Sequence, residues 1–174
     1  MPQERSTAVQ PRARQGESVS DAALFPESGP LALFSHMSRV SLLLQALQEE
    51  CLAPFGLRFV DYSVLRILDY AGPPHRMSPS RLAEAVVCTT GGMTRIVDRL
   101  ERRGWCERTR DPADRRGVLV GLTSEGRRTS QLASDAYQKG RERILARLSS
   151  HEVDDLDASL SRIVEVFEDD RRDA

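Results

Sequence analysis

Aromatic residues are scarce in this 174-residue chain, at 5% of positions, with a single Trp, three Tyr and five Phe. Lysine is almost absent: 24 of the 25 basic residues are Arg, and Lys139 is the exception. Cysteine occurs three times, at Cys51, Cys88 and Cys106, widely spaced and in no CxxC pair. So sparse and odd a set excludes a disulfide framework and fits a reducing compartment. No apolar run approaches 18 residues, which excludes a membrane-spanning helix. Met1 to Pro30 also lacks the apolar stretch of a secretory leader, so the expectation is a soluble, cytoplasmic protein. Catalytic signatures are missing too. His36, His75 and His151 fall in three different elements, and there is no HExxH, no GxSxG, no phosphate-binding loop and no GxGxxG after a strand. These absences predict a protein that is not an enzyme and needs no cofactor or metal.

Nor does one sign of charge dominate, with 25 basic against 26 acidic residues and a net charge of -1. The balance conceals an asymmetry. Arg95 to Arg128 holds ten Arg against six acids, a local net of +4, whereas Ser149 to Ala174 holds nine acids against three Arg, a net of -6. A basic middle in a neutral chain suggests an anionic partner that binds locally. The 40% of hydrophobic residues suffices for one domain with a sizeable core.

Residues 1–30, rich in Pro, Ser, Gln and charge, read as a flexible arm. From Leu31 the pattern becomes helical: Leu33, Met37, Val40, Leu43, Leu44, Leu47 and Cys51 recur at steps of three and four, until Pro54 and Gly56 intervene. A second helix follows in FVDYSVLRILDYA, with Val60, Val64, Leu65, Ile67 and Leu68 apolar, and Gly72-Pro73-Pro74 closes it. His75 in that turn reads as solvated. Ser78-Pro79 then supplies a cap and a proline at the first position of a short helix, SRLAEAVV. After Cys88, Thr89 can cap TGGMTRIVDRLERRG, whose inward stripe is Met93, Ile96, Val97 and Leu100 and whose end is Gly104. Two short helices joined by a tight turn form a helix-turn-helix. Strand-like runs at 105–110 and 118–123 flank the polar turn 111–117, a hairpin with a basic tip. Thr123 can cap a long helix to about Leu148, with Leu132, Ala136, Ile144, Leu145 and Leu148 on one face. Ser149 and Glu152 form a capping box for the last helix, striped by Val153, Leu156, Leu160, Ile163, Val164 and Phe167.

The second helix of the pair carries Thr90, Gly91, Thr94, Arg95 and Asp98 opposite its core stripe. Thr hydroxyls reach phosphates or base edges, and Arg forks onto guanine in a major groove. Arg115 and Arg116 at the hairpin tip could reach phosphates or enter a narrow minor groove, with Asp114 orienting a neighbouring Arg by a charge-assisted hydrogen bond. Taken singly, each piece is also what a solvated charged face or an ordinary polar turn would show. The order and spacing together point to DNA.

The stretch RMSPSRLAEAVVCTTGGMTRIVDRLERRGWCERTRDPADRRGVLVGLTSEG resembles the winged-helix core of MarR-type transcriptional regulators, most specifically in DPADRRGVLVGLT and TGGMTRIVDRLERRG. The resemblance runs through about 33–167 and is strongest over 76–127. It implies a mostly α fold with a small β-hairpin wing: a winged helix-turn-helix over about 58–123, between dimerisation helices at about 31–53 and 124–170. It further implies a homodimer on palindromic double-stranded DNA, with Arg116 in the minor groove and Asp114 as its orienting acid. Thr90, Gly91, Thr94 and Arg95 would face the major groove. Ser78, Ser80 and Thr89, at the two helix starts, complete the candidate DNA contacts together with Arg115. Apolar stripes on the first and last helices, too many for a lone winged helix to cover, independently suit a two-fold dimer.

Members of this family take small aromatic or phenolic effectors between the dimer helices and the DNA-binding lobe. The resemblance makes His36, Arg39, Tyr62, Ser63 and Arg66 candidates for such a pocket, although His36 also fits an ordinary structural histidine. Ser63 after Tyr62, and a lone Trp at 105, depart from the urate-responding branch. Cys51 does not match the cysteine of peroxide-sensing members. The expected function is a ligand-released repressor. Two other classes stay open: a helical protein-interaction module, and a thiol-based redox sensor or enzyme using Cys88 or Cys106.

Overall fold

Helix α1 (Ala32–Leu52) stops where Ala53, Pro54 and Phe55 form a single 3-10 turn, closed by Gly56 in the left-handed region at φ +67°. The computed structural model describes residues 32–114 and 116–173, and the chain divides after Leu44 into two units. The expected arm over 1–30 lies outside the described residues. In the smaller unit, 32–44 is the opening stretch of α1, along which Leu33, Val40, Leu43 and Leu44 are exposed. The remaining elements belong to the larger unit.

There, α2 (Phe59–Tyr70) begins with Asp61 reaching back to accept the Arg58 N–H at 3.3 Å, and it buries Tyr62, Val64, Leu65 and Leu68. Strand β1 (Arg76–Met77) leads into α3 (Pro79–Ala85), where Ser78 Oγ accepts the Arg81 N–H at 3.4 Å and Pro79 opens the helix. Next, α4 (Thr90–Arg102) is capped by Thr89 Oγ1, which accepts the Gly92 N–H at 3.1 Å. All four members of the expected stripe, Met93, Ile96, Val97 and Leu100, are buried, each such side chain contributing about 1.5–3 kcal/mol. Gly104 ends the helix at φ +70°.

Strands β2 (Cys106–Arg110) and β3 (Val118–Leu122) pair antiparallel from Cys106 opposite Leu122 to Arg110 opposite Val118. The hairpin is not alone, which corrects the sequence reading. β1 pairs with β3 through Arg76 opposite Gly121 and Met77 opposite Val120, giving a three-stranded sheet in the order β1-β3-β2. Two residues are too few to show the alternation by which a strand is read. His75, just before β1, is half-buried rather than solvated. Its Nδ1 lies 3.3 and 3.2 Å from the carbonyls of Leu68 and Asp69, so Nδ1 carries the proton and donates.

Thr123 caps α5 (Ser124–Leu145), its Oγ1 accepting the Gly126 N–H at 3.0 Å. The helix ends at Leu145, short of Leu148. The following N–H groups tighten to i+3 acceptors, Arg147 to Ile144 and Leu148 to Leu145, because Ser149 must leave the helix to cap the next one. The capping box is reciprocal: Ser149 N–H donates to Glu152 Oε2 at 2.8 Å, and Glu152 N–H donates to Ser149 Oγ at 3.3 Å. It launches α6 (Ser150–Asp173).

The core of the larger unit runs through Leu52, Leu57, Leu65, Leu68, Leu82, Met93, Leu100, Trp105, Val120 and Ala133. One close approach fixes how α5 meets the sheet. A Cβ on Gly126 would stand 2.0 Å from the Trp105 carbonyl oxygen, so only glycine fits there. At α6, by contrast, no residue is buried, and Leu156, Leu160, Val164 and Phe167 are exposed, as are Ile144 and Leu145 at the end of α5 and Leu148 beyond it. Among the described residues no helix is long and apolar enough to cross a membrane.

Candidate functional site

The exposed face of α4 follows from its stripe. With four residues locked inward, Thr90, Gly91, Thr94 and Arg95 stand together in solvent. The N–H groups of Thr90 and Gly91 belong to the first turn and have no acceptor within the helix, an arrangement that favours a phosphate. Thr94 Oγ1 donates to the Thr90 carbonyl at 3.1 Å, so its lone pairs remain outward and can accept from a base amino group. Of the two serines at the start of α3, Ser78 is engaged as the cap and lies 3.1 Å, Oγ to Oγ, from the exposed Ser80. Asp98, the fifth outward position, is already occupied: it lies 2.5 Å from Arg108 Nη2 of β2.

The turn between β2 and β3 is tied by its own acids. Asp111 Oδ1 accepts the Ala113 N–H at 2.9 Å, and Asp114 Oδ1 accepts the Arg116 N–H at 2.9 Å. The Asp114 carboxylate thus meets Arg116 through its main chain, and the Arg116 side chain is exposed at the tip. Arg115 lies outside the described residues.

A second feature is a cavity of about 650 Å³ between α2, the turn after α3 and α5. Three predicted residues, Tyr62, Ser63 and Arg66, line it; Tyr137, Ser134 and Arg141 of α5 face them. The rings of Phe59, Tyr62 and Tyr137 lie 5.9 to 6.2 Å apart, giving an aromatic wall. Tyr62 donates to Ser134 Oγ at 3.3 Å, and Ser63 spends its proton on the Phe59 carbonyl at 2.9 Å. Arg66 stacks 4.4 Å over Tyr70 and donates to its hydroxyl at 2.5 Å, while Arg141 stacks 4.8 Å over Tyr137. The α5 residues were missed because a separation of seventy-odd residues leaves no local signal. His36, exposed, and Arg39, half-buried, lie on 32–44 of α1, in the smaller unit.

The thiols divide. Cys106 is buried, and burial, helped by the Glu101 carboxylate, pushes it up to about 12. That shift disfavours the thiolate on which a redox or nucleophilic role for Cys106 would depend. Cys88 is half-buried just ahead of the α4 cap.

Residues 60–118 match the family model described as the MarR family. The transcriptional regulator PecS of Dickeya dadantii is 30% identical over 134 residues, covering 77% of this chain and 81% of that protein. A mutant MarR from Escherichia coli, solved in complex with operator DNA, superposes with a TM-score of 0.68 at 28% identity, covering 84% of this chain and 99% of that one. CouR from Rhodococcus jostii, solved bound to p-coumaroyl-CoA, gives a TM-score of 0.68 at 28% identity, covering 78% and 95%. With the helix-turn-helix, the wing and a relative matched over four-fifths of its length, the chain belongs to the MarR family of winged-helix transcriptional regulators.

Proposed function

We propose that this regulator is a cytoplasmic homodimer that binds a palindromic operator and represses transcription until a small aromatic, phenolic effector enters the cavity between α2 and α5. The observation that carries DNA recognition is the face of α4: Thr90, Gly91, Thr94 and Arg95 exposed together opposite four buried residues, with Arg116 exposed at the wing tip. Thr94 and Arg95 lie one turn into the helix, where side chains reach base edges, and Thr90 and Gly91 lie at its phosphate-binding start. Complex formation with operator DNA by a mutant MarR of similar fold supports this reading.

Dimerisation would cover the apolar faces that a single chain leaves in water, Leu156, Leu160, Val164 and Phe167 on α6 and Ile144, Leu145 and Leu148 before it. The winged helix over about 58–123 would then hang between helices at about 31–53 and 124–170. The effector reading rests on the aromatic wall with two guanidinium groups beside it, and p-coumaroyl-CoA bound to CouR is an aromatic precedent. The cavity touches both α2 and the turn Ala85–Val87 that precedes the recognition helix, so a ligand filling it acts on the spacing of the reading heads. Coupling is reciprocal: an effector that lowers DNA affinity is itself bound less tightly by the DNA complex.

A panel of single-base operator variants tests the assignment. Arg95→Ala should shift preference at individual positions by about 1–3 kcal/mol, whereas Thr90→Ala should weaken all sequences alike. Parallel losses across the panel for Arg95→Ala would show that Arg95 does not read bases.

A further inference from the structure

Arg108 sits in the middle of β2, on the same side of the strand as buried Cys106, and its side chain crosses to α4. Its Nη2 lies 2.5 Å from Asp98 Oδ1, and its Nη1 donates to Glu101 Oε2. Its main-chain N–H donates to Glu101 Oε1 at 3.2 Å, so Glu101 also satisfies the outer edge of the sheet. Asp98 and Glu101 are three residues apart, one turn of α4. A single guanidinium therefore grips the recognition helix at two points from the strand that runs directly into the wing.

That grip has a geometric consequence. Arg95 precedes Asp98 by one turn of α4, and Arg116 lies six residues beyond the end of β2. How far apart and at what angle these two side chains present themselves depends on how β2 rests on α4. A wing that rocks against α4 would still fold, but it would not place Arg116 in a groove while Arg95 occupies its neighbour. An ammonium group is a point charge and cannot reproduce the planar fork.

We propose that Arg108 is a positioning residue that locks the wing to the recognition helix, so that Arg116 and Arg95 meet DNA together. This rests on the reading that α4 and the wing both contact DNA. The lock contributes no base or phosphate contact of its own; it makes the contribution of Arg116 available.

The test is a double-mutant cycle on the full-length protein, read by fluorescence anisotropy on a duplex selected by the wild-type protein from a random-sequence pool. Arg116→Ala should weaken binding by about tenfold or more in the wild-type background. In the Arg108→Lys and Arg108→Met backgrounds the same change should cost less than about threefold, the non-additivity expected of coupled residues. Thermal unfolding is followed in parallel. Arg108→Lys retains the stem and the charge, and it carries the test should Arg108→Met fail to fold. Equal losses from Arg116→Ala in all backgrounds would overturn the proposal, since the wing would then be in place without Arg108. Wild-type affinity in Arg108→Lys would overturn it too, since charge alone would suffice. If Arg116→Ala has no effect even in the wild-type protein, the wing reading itself fails, and this inference with it.

Discussion

Asp61 of α2 and Arg99 of α4, 38 residues apart, form an ion pair whose carboxylate is buried and whose guanidinium is half-buried. Arg99 Nε donates to both carboxylate oxygens, at 3.1 and 3.0 Å, and Nη2 donates to Oδ1 as well. Asp61 is 1% exposed, and these hydrogen bonds hold the Arg99 guanidinium above its ordinary pKa. The pair joins α2, which lines the cavity, to the back of the helix proposed to read DNA.

Removing the carboxylate leaves a cation partly buried without a partner. Asp61→Ala should destabilise the fold by about 3 kcal/mol, the low end for a broken buried pair because Arg99 keeps 28% of its side chain exposed. Replacing both, as Asp61→Leu with Arg99→Met, should cost much less than the single change. Urea denaturation of the wild type and these two variants checks this, and a double variant as unstable as Asp61→Ala would show that the unpaired charge is not what costs stability.

Two glycines should respond in opposite ways to alanine. Gly126→Ala forces a Cβ to within 2.0 Å of the Trp105 carbonyl oxygen, a backbone atom that cannot swing aside. Lifting α5 off the sheet should cost at least about 1–3 kcal/mol. At Gly91 an added Cβ meets nothing within 4 Å, so Gly91→Ala should stabilise the helix by about 0.5–1 kcal/mol. Affinity for DNA should nonetheless fall in Gly91→Ala, because the methyl group would stand on the face proposed to approach the duplex. Denaturation midpoints and duplex titrations on the same samples separate the two effects.

What could be read from the sequence was what repeats or sits close by. The α4 stripe declared itself by spacing, and Ser78, Thr89, Thr123 and the Ser149–Glu152 box declared themselves by standing just ahead of apolar periodic runs. The outward face of α4 followed by subtraction. The missed relationships are polar and distant. Asp61 meets Arg99 across 38 positions and Arg108 meets Asp98 across ten, and neither partner lies on an apolar stripe. No periodicity marks either pair. The cavity was half legible: Tyr62, Ser63 and Arg66 share α2, but Tyr137 and Arg141 join them only through the packing of α5.

Arg141, stacked on Tyr137 at the cavity wall, should bear on effector response alone. Arg141→Ala should leave the affinity of the ligand-free protein for DNA unchanged. It should raise the concentration of an aromatic carboxylic acid needed for release by about tenfold, the loss of one charge-assisted hydrogen bond. Release curves with p-coumarate and with its uncharged methyl ester check it; identical curves for Arg141→Ala and wild type would remove Arg141 from the site.

The thiols make a pH prediction. Cys106 holds its proton to about 12 in the folded chain, against an ordinary value of 9.0. The unfolded chain therefore releases that proton first, and the stabilisation tied to the neutral thiol is lost as pH climbs above 9. Below that range Cys106 contributes no pH dependence. Labelling with a disulfide reagent at pH 8 should reach Cys88 quickly and Cys106 only on unfolding. Cys106→Ser should leave the rapidly labelled fraction unchanged, and a drop in that fraction would show that the thiol is accessible and ionised.

The claim on which the rest depends is that two copies of this chain place two recognition helices and two wings on one palindrome. Anisotropy titration of the full chain on the selected palindromic duplex, and on the same duplex with one half-site scrambled, measured at several salt concentrations, tests it most directly. The account predicts two chains per palindrome, loss of most of the affinity on scrambling one half, and a fall of about a thousandfold or more between 50 and 200 mM salt. Equal binding to the scrambled duplex, or affinity indifferent to salt, would contradict it.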